Sequence, residues 1–161
     1  MTEYAKTTKT SIDKSKNELE RIIKRFGAEG YVYGWRAGVV QIAFEIGNRI
    51  YNVKLPMAEP GDREFTHTPT GRIRASKSAI EHYEQEIRSR FRELVLLMKA
   101  KFIGIERGIT TFDDEFLPKL KLPDGSTVGE WAERELPRIF DTHGTPEFLM
   151  PGEQKLLEGD Q

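Results

Sequence analysis

The stretch that decides the fold is residues 31–55, YVYGWRAGVVQIAFEIGNRIYNVKL. Apolar and polar side chains alternate through 39–46 and again through 49–55, which is the period of a strand with one buried face. Gly47-Asn48, between these two runs, is typical of a two-residue hairpin turn. Together with the aromatic run 31–35, they predict three antiparallel strands whose single apolar face needs a covering layer of helices.

Two predicted helices flank the strands. Apolar residues recur at helical spacing through 11–26, where Ser11 or Thr10 can cap the first turn and Gly27 follows the last. After a loop at 56–70, apolar residues step by threes, fours and one seven from Ile73 to Ile105. At about 1.5 Å per residue this helix would be roughly 50 Å long, longer than the sheet. Its far end must therefore pack on another part of the chain or on another copy of the protein.

The order of elements predicts an α+β fold. A three-stranded antiparallel sheet is covered by an N-terminal helix and a long basic helix, and an acidic helical appendage follows at the C-terminus. The predicted organisation is a flexible lead 1–10, a core 11–109, the acidic appendage 110–143 and a flexible tail 144–161.

Composition excludes several classes of protein. The 161 residues contain no cysteine, which excludes disulfide frameworks, thiolate metal sites and cysteine nucleophiles. Aromatic residues make up 10%, too many for a wholly disordered chain. No apolar run approaches the roughly 20 residues of a membrane span, and the polar start has no signal-peptide core. We therefore expect a soluble protein of the cytoplasm with no membrane partner.

The net charge of −1 hides an asymmetry along the chain. Residues 1–111 hold 20 Lys/Arg and 14 Asp/Glu, a net charge of +6, whereas 112–161 hold 5 and 12, a net charge of −7. The basic part favours an anionic partner such as a phosphate backbone. Two alternatives stay open: the acidic third neutralises the basic helices by packing on them, or it shields a nucleic-acid site.

The most informative local signal is residues 66–77, THTPTGRIRASK. A helix start exposes N–H donors and the positive end of the helix dipole, where stability favours Asp or Glu. Here Arg72, Arg74 and Lys77 stand instead, among threonine and serine hydroxyls. A phosphate would neutralise these charges, and so would carboxylates of the acidic last third.

Two further groups are candidates for nucleic-acid contact. Arg88 and Arg92 share one row of the long helix and could follow a phosphate backbone, although ordinary ion pairs with neighbouring glutamates explain them slightly better. Tyr33 and Trp35 lie on one face of the first strand, where aromatic rings can stack on bases, but such a row more often belongs to a core.

No standard catalytic constellation or phosphate-binding glycine loop is present, and the sequence predicts no cofactor and no metal site. Asp113, Asp114 and Glu115 could be pictured as magnesium ligands, but a position in the first turn of a helix explains them more simply. An alternative function uses these three carboxylates differently, to mimic nucleic-acid charge in binding and modulating a host protein, for example a defence component.

Three segments resemble a family of small proteins of tailed phages and prophages: TPTGRIR at 68–74, LMKAK at 97–101, and 108–131 with its GITTFDDEFL and LPDGSTVGEW. The resemblance extends from about Thr7 to Met150. It implies a phage product acting in the bacterial cytoplasm, and it brings no assigned chemistry. The leading hypothesis is a phage accessory protein that binds the phosphate backbone of nucleic acid in replication, recombination or control of DNA processing. DNA is the favoured ligand and RNA the alternative.

Overall fold

The computed structural model describes residues 7–36 and 38–143. The elements along the chain are α1 (Ile12–Arg25), β1 (Gly30–Arg36), β2 (Val39–Ile46), β3 (Arg49–Pro56), α2 (Arg63–Thr66), α3 (Ser76–Glu106), α4 (Phe112–Phe116), a 3-10 turn (Leu117–Lys119) and α5 (Val128–His143). The predicted α+β fold is confirmed, with one antiparallel sheet in the order β1-β2-β3, an N-terminal helix and a long helix. The predicted tail 144–161, and residues 1–6 of the predicted lead, lie outside the described residues.

The sheet has the register that the alternating pattern requires. Ile46 pairs with Arg49 across the turn Gly47-Asn48, where both turn residues have positive φ, as the favoured hairpin turn demands. Phe44 lies between Tyr31 of β1 and Tyr51 of β3. This places one apolar row across all three strands, on the face that the helices cover.

Helices α1 and α3 run in the same direction, side by side on this face. The side chain of Gln85 donates to the carbonyl of Thr8, and Arg25 pairs with Glu106 at the other end. Both helices contribute to one core with the sheet, and its buried members are Leu19, Ile23, Val40, Ile42, Phe44, Tyr51, Val53, Ile87, Phe91, Leu94, Val95, Met98, Phe102 and Phe116.

The long helix begins later than the apolar spacing predicts, at Ser76 rather than near Ile73. The N–H of Arg74 donates to the carbonyl of Thr66 at 2.8 Å, and Ile73 forms a β-bridge with His67. These bonds hold the preceding residues extended. The side chain of Ile73 is 80% exposed, so it never belonged to the buried face of the helix.

The first third of α3 reaches beyond the sheet and packs on α2. The ring of Tyr83 meets Phe65 edge to face at 5.6 Å between centroids, and Phe65 is buried. The 31 residues of α3 extend about 46 Å. The chain itself therefore covers part of the overhang that the sequence predicted.

The beginning of the acidic appendage belongs to the core. Phe112 and Phe116 of α4 pack among the buried rings of the sheet and α3. The chain then passes the edge of β3, where Lys121 donates its N–H to the carbonyl of Ile50 at 2.7 Å. Helix α5 has no buried residue, and an ion pair from Glu130 to Lys54 ties it to the outer face of the sheet.

Two buried hydroxyls have no partner among the described residues, those of Ser15 and Tyr31. Burial, reinforced by the nearby Glu20, raises the pKa of Tyr31 to about 12. We expect Tyr31→Phe to leave the free energy of unfolding unchanged or to raise it by up to about 1 kcal/mol, because the ring is kept and an unsatisfied donor is removed. Urea unfolding measures this difference, and a loss above about 1 kcal/mol would show that the hydroxyl is hydrogen-bonded in solution.

Candidate nucleic-acid interface

The start of α3 has no cap of its own. Its N-cap residue is Ala75, no side chain of a described residue bonds to the free N–H groups there, and the first turn holds no acidic residue. In α1, by contrast, the hydroxyl of Ser11 caps the helix and Asp13 stands in the first turn. The start of α3 therefore carries the positive dipole end with Lys77 beside it, an arrangement that attracts an anion.

The approach to this helix is a tight, hydrogen-bonded loop. The N–H of Gly71 donates to the carbonyl of Thr68 at 2.8 Å, and the N–H of Thr68 donates to the carbonyl of Arg72 at 2.7 Å. The hydroxyl of Thr68 accepts from the N–H of Arg72 and contacts the hydroxyl of Thr70 at 2.9 Å. The two threonines thus fix the loop, and the side chain of Arg72 is exposed.

Arg74 is held in place by neutral groups. Its Nε donates to the carbonyl of His67 at 3.0 Å, and one terminal nitrogen lies 3.1 Å from Nε2 of His82. An arginine can only donate, so Nε2 of His82 is the acceptor in this contact. The guanidinium is therefore oriented without being neutralised, and it forms a wall of two neighbouring clefts of about 450 and 530 Å³, both of which Glu64 also lines.

The other cations of α3 contrast with this group. Arg88, Arg90, Arg92, Lys99 and Lys101 each form an ion pair with a carboxylate. Neither Arg72, Arg74 nor Lys77 has a carboxylate of a described residue within ion-pair distance. We call these three residues the entrance cluster.

The predicted row of Arg88 and Arg92 is engaged inside the molecule. Arg88 donates to the side chain of Gln85 at 2.8 Å and lies 3.6 Å from Glu84. Arg92 pairs with Glu18 of α1 at 2.6 Å and is 24% exposed. To bind a phosphate, Arg92 would have to leave the contact that joins the two helices.

The two aromatic candidates have different surroundings. Lys16 lies over the ring of Tyr33 at 4.2 Å, and Phe91 is 6.2 Å from that ring, so Tyr33 is flanked by the chain itself. Trp35 is 68% exposed. It lies at the end of the sheet nearest the first half of α3, since Arg90 reaches the carbonyl of Pro56 there.

The acidic residues of 111–143 form no ion pair with the entrance cluster. Asp114 completes a capping box with Thr111, whose hydrogen bonds lower the pKa of that carboxyl. Glu115 pairs with Lys101, and this hydrogen bond lowers the pKa of Glu115. Asp113, the third residue of the trio, is exposed in the first turn of α4. Among the described residues, no group of three or more His, Asp or Glu is placed to hold a metal ion.

Sequence reasoning missed the groups that orient Arg74. His82 stands eight residues further along the chain, and His67 contributes only a backbone carbonyl. A helical histidine after a basic loop is not a recognisable signal by itself. Only the folding back of residues 66–74 brings these groups together.

Comparisons of this chain with models of protein families, with curated proteins and with solved structures found no match. No helix in 7–36 and 38–143 combines the length and the apolar character needed to cross a membrane.

Proposed function

We propose that the protein binds the phosphate backbone of nucleic acid at the start of α3, with DNA preferred to RNA as the ligand. One observation carries the proposal: the entrance cluster has no carboxylate partner among the described residues, whereas every other cation of α3 has one. Arg72 and Lys77 supply exposed charge, and Arg74 is held in position by His67 and His82. An uncapped helix start adds free N–H donors to these three cations.

This arrangement supports binding without sequence recognition. Guanidinium and ammonium groups contact phosphate oxygens in any sequence and fix the register of the protein on the strand. The biological setting rests on the resemblance alone. It is that of a phage product serving replication, recombination or control of DNA processing in a bacterial cell.

The test is the salt dependence of affinity, measured by fluorescence anisotropy with labelled mixed-sequence DNA and RNA, single- and double-stranded. If each of the three cations neutralises one phosphate, the logarithm of the binding constant falls with the logarithm of salt concentration with a slope of about −2 to −3. Arg72→Gln/Lys77→Gln should reduce the magnitude of this slope by about two and weaken binding at least roughly tenfold.

The matched control is Arg49→Gln/Lys119→Gln, which removes the same charge from two exposed cations that likewise have no ion pair with a described residue. We expect this variant to bind as the wild type does. Equal losses in the two variants would mean that only net charge matters. Absence of binding at the lowest salt concentration would contradict the proposal and favour the alternative of a protein that modulates a host protein.

A further inference from the structure

The two edges of the sheet differ in their backbone hydrogen bonds to the rest of the described chain. At the edge of β3, Lys121 bonds to Ile50, and Leu120 forms a bridge with Tyr51. At the edge of β1, no described residue outside the sheet forms a backbone hydrogen bond with Gly30–Arg36. The centre of this strand carries no charged residue and no proline, which are the residues that usually keep an edge strand from pairing with another chain.

The outward main-chain groups of β1 belong to Tyr31, Tyr33 and Trp35. The two-residue turn makes Ile46 and Arg49 a hydrogen-bonded pair, so the even-numbered residues of β2 bond to β3 and the odd-numbered ones bond to β1. By the same alternation, the even-numbered residues of β1 bond to β2. The N–H and C=O groups of its three odd-numbered residues therefore face away from the sheet.

We propose that β1 pairs antiparallel with β1 of a second copy, about a twofold axis at Tyr33, to form a continuous six-stranded sheet. Full overlap of two seven-residue strands places Tyr33 opposite itself and Tyr31 opposite Trp35 of the other copy. These are the residues whose main-chain groups face outward. The longest register is therefore also the register in which every outward donor and acceptor has a partner.

The side chains of β1 are complementary to themselves in this register. On the outer face of the sheet, Val32 comes opposite Gly34 of the other copy. Val32 is 66% exposed, and a side chain at Gly34 would meet nothing within 4 Å, so there is space for the valine. On the helix face, Tyr31 covers Trp35, and aromatic pairs of this kind stabilise neighbouring strands.

Charge is complementary at both ends of the paired strands. Arg36 comes opposite Gly30 of the other copy, on the outer face. The carboxylate of Glu45 already lies across Gly30, 3.5 Å from where a side chain of that residue would begin. Neither Arg36 nor Glu45 has an ion pair with a described residue. The twofold axis therefore brings each free arginine to a free glutamate.

These features select a second copy over an unrelated strand, because the backbone groups and side chains of β1, together with Glu45 of β2, are complementary to the same groups of another copy. The dimer assigns Trp35 to a protein interface instead of to base stacking. It leaves the entrance cluster out of the interface, so it is independent of the proposed function.

The experiment is the molar mass of the full chain in solution, measured without nucleic acid by sedimentation equilibrium. Concentrations from about 1 µM to about 1 mM cover the affinities typical of small interfaces. We expect the mass to rise from the 18.5 kDa of one chain to twice that value. In the dimer, amide exchange at Tyr31, Tyr33 and Trp35 should slow as concentration rises.

Four variants identify the interface, with circular dichroism to verify folding. Val32→Lys should keep the protein monomeric, and Ile50→Lys, on the same outer face but on β3, should not. Arg36→Glu should weaken dimerisation because it places two carboxylates together. The exchanged pair Arg36→Glu/Glu45→Arg should restore it.

A single-chain mass at every concentration would overturn the proposal. So would a dimer that survives Val32→Lys, or one in which the exchanged pair brings no recovery over Arg36→Glu. If Ile50→Lys alone abolished the dimer, the interface would lie at the other edge of the sheet and the proposal would equally fail.

Discussion

Replacing Phe116 with alanine is expected to lower the free energy of unfolding by about 3–5 kcal/mol. The side chain is 1% exposed, and its ring lies 5.7 Å from Phe44 of the sheet and 5.2 Å from Phe102 of α3. Removal of the ring loses this burial and leaves a cavity where three elements meet. Guanidinium chloride unfolding, followed by far-UV circular dichroism, measures the loss.

The matched control is Phe140→Ala. Phe140 belongs to α5, is 45% exposed and lies on a helix without buried residues, so its loss should cost less than about 1 kcal/mol. A similar small cost at Phe116 would mean that α4 is only attached to a core that is complete without it. The result also bears on truncation, because a chain cut at Thr110 would lose Phe116 and Phe112 from the core.

The sheet could be predicted from the sequence because its signal is local. A period of two and the pair Gly47-Asn48 fix strands, turn and register together. The role of α4 could not be predicted in this way. Five residues are too few to show a helical period, and its three carboxylates placed it in the predicted acidic appendage, outside the predicted core. Only the tertiary arrangement brings Phe112 and Phe116 beneath the sheet.

The start of α3 shows the same limit. Ile73 fits the apolar spacing of the helix, yet the bridge to His67 holds it in the preceding loop. The three cations of the entrance cluster were predictable, since they follow one another along the chain. Which cations stay free was not predictable. Arg92 was a candidate for phosphate contact like Lys77, and its partner Glu18 lies 74 residues away.

Glu18 is the centre of the charged contact between α1 and α3. It pairs with Arg92 at 2.6 Å and also with Lys99, and the carboxylate is 25% exposed. Glu18→Gln should lower the free energy of unfolding at pH 7 by about 2 kcal/mol, because it leaves two cations without their counter-charge. This is below the cost of breaking a fully buried pair, since water still reaches all three groups.

The pH dependence of this loss of stability shows whether it comes from the charge of Glu18 or from the shape of its side chain. The hydrogen bond from Lys99, with that from Arg92, holds the pKa of Glu18 below its usual value despite partial desolvation. The carboxylate therefore stabilises the fold above the pKa that it has in the unfolded chain, about 4.3, and this contribution disappears as pH falls through the lower folded pKa. Unfolding measured from pH 7 to pH 3 should show the wild type and Glu18→Gln converging only below about pH 4.3.

The control for this series is Glu20→Gln on the same helix. Glu20 pairs with the exposed Lys24 one turn away, so its loss should change the free energy of unfolding by at most about 0.5 kcal/mol. If Glu18→Gln changed the free energy of unfolding as little, Arg92 and Lys99 would not need a carboxylate partner to keep the fold stable. The absence of a partner at the entrance cluster would then no longer distinguish it from the rest of the helix. The stability lost in Glu18→Gln therefore measures what a carboxylate partner contributes to cations of α3, and the unpaired cations at the start of the helix lack that contribution.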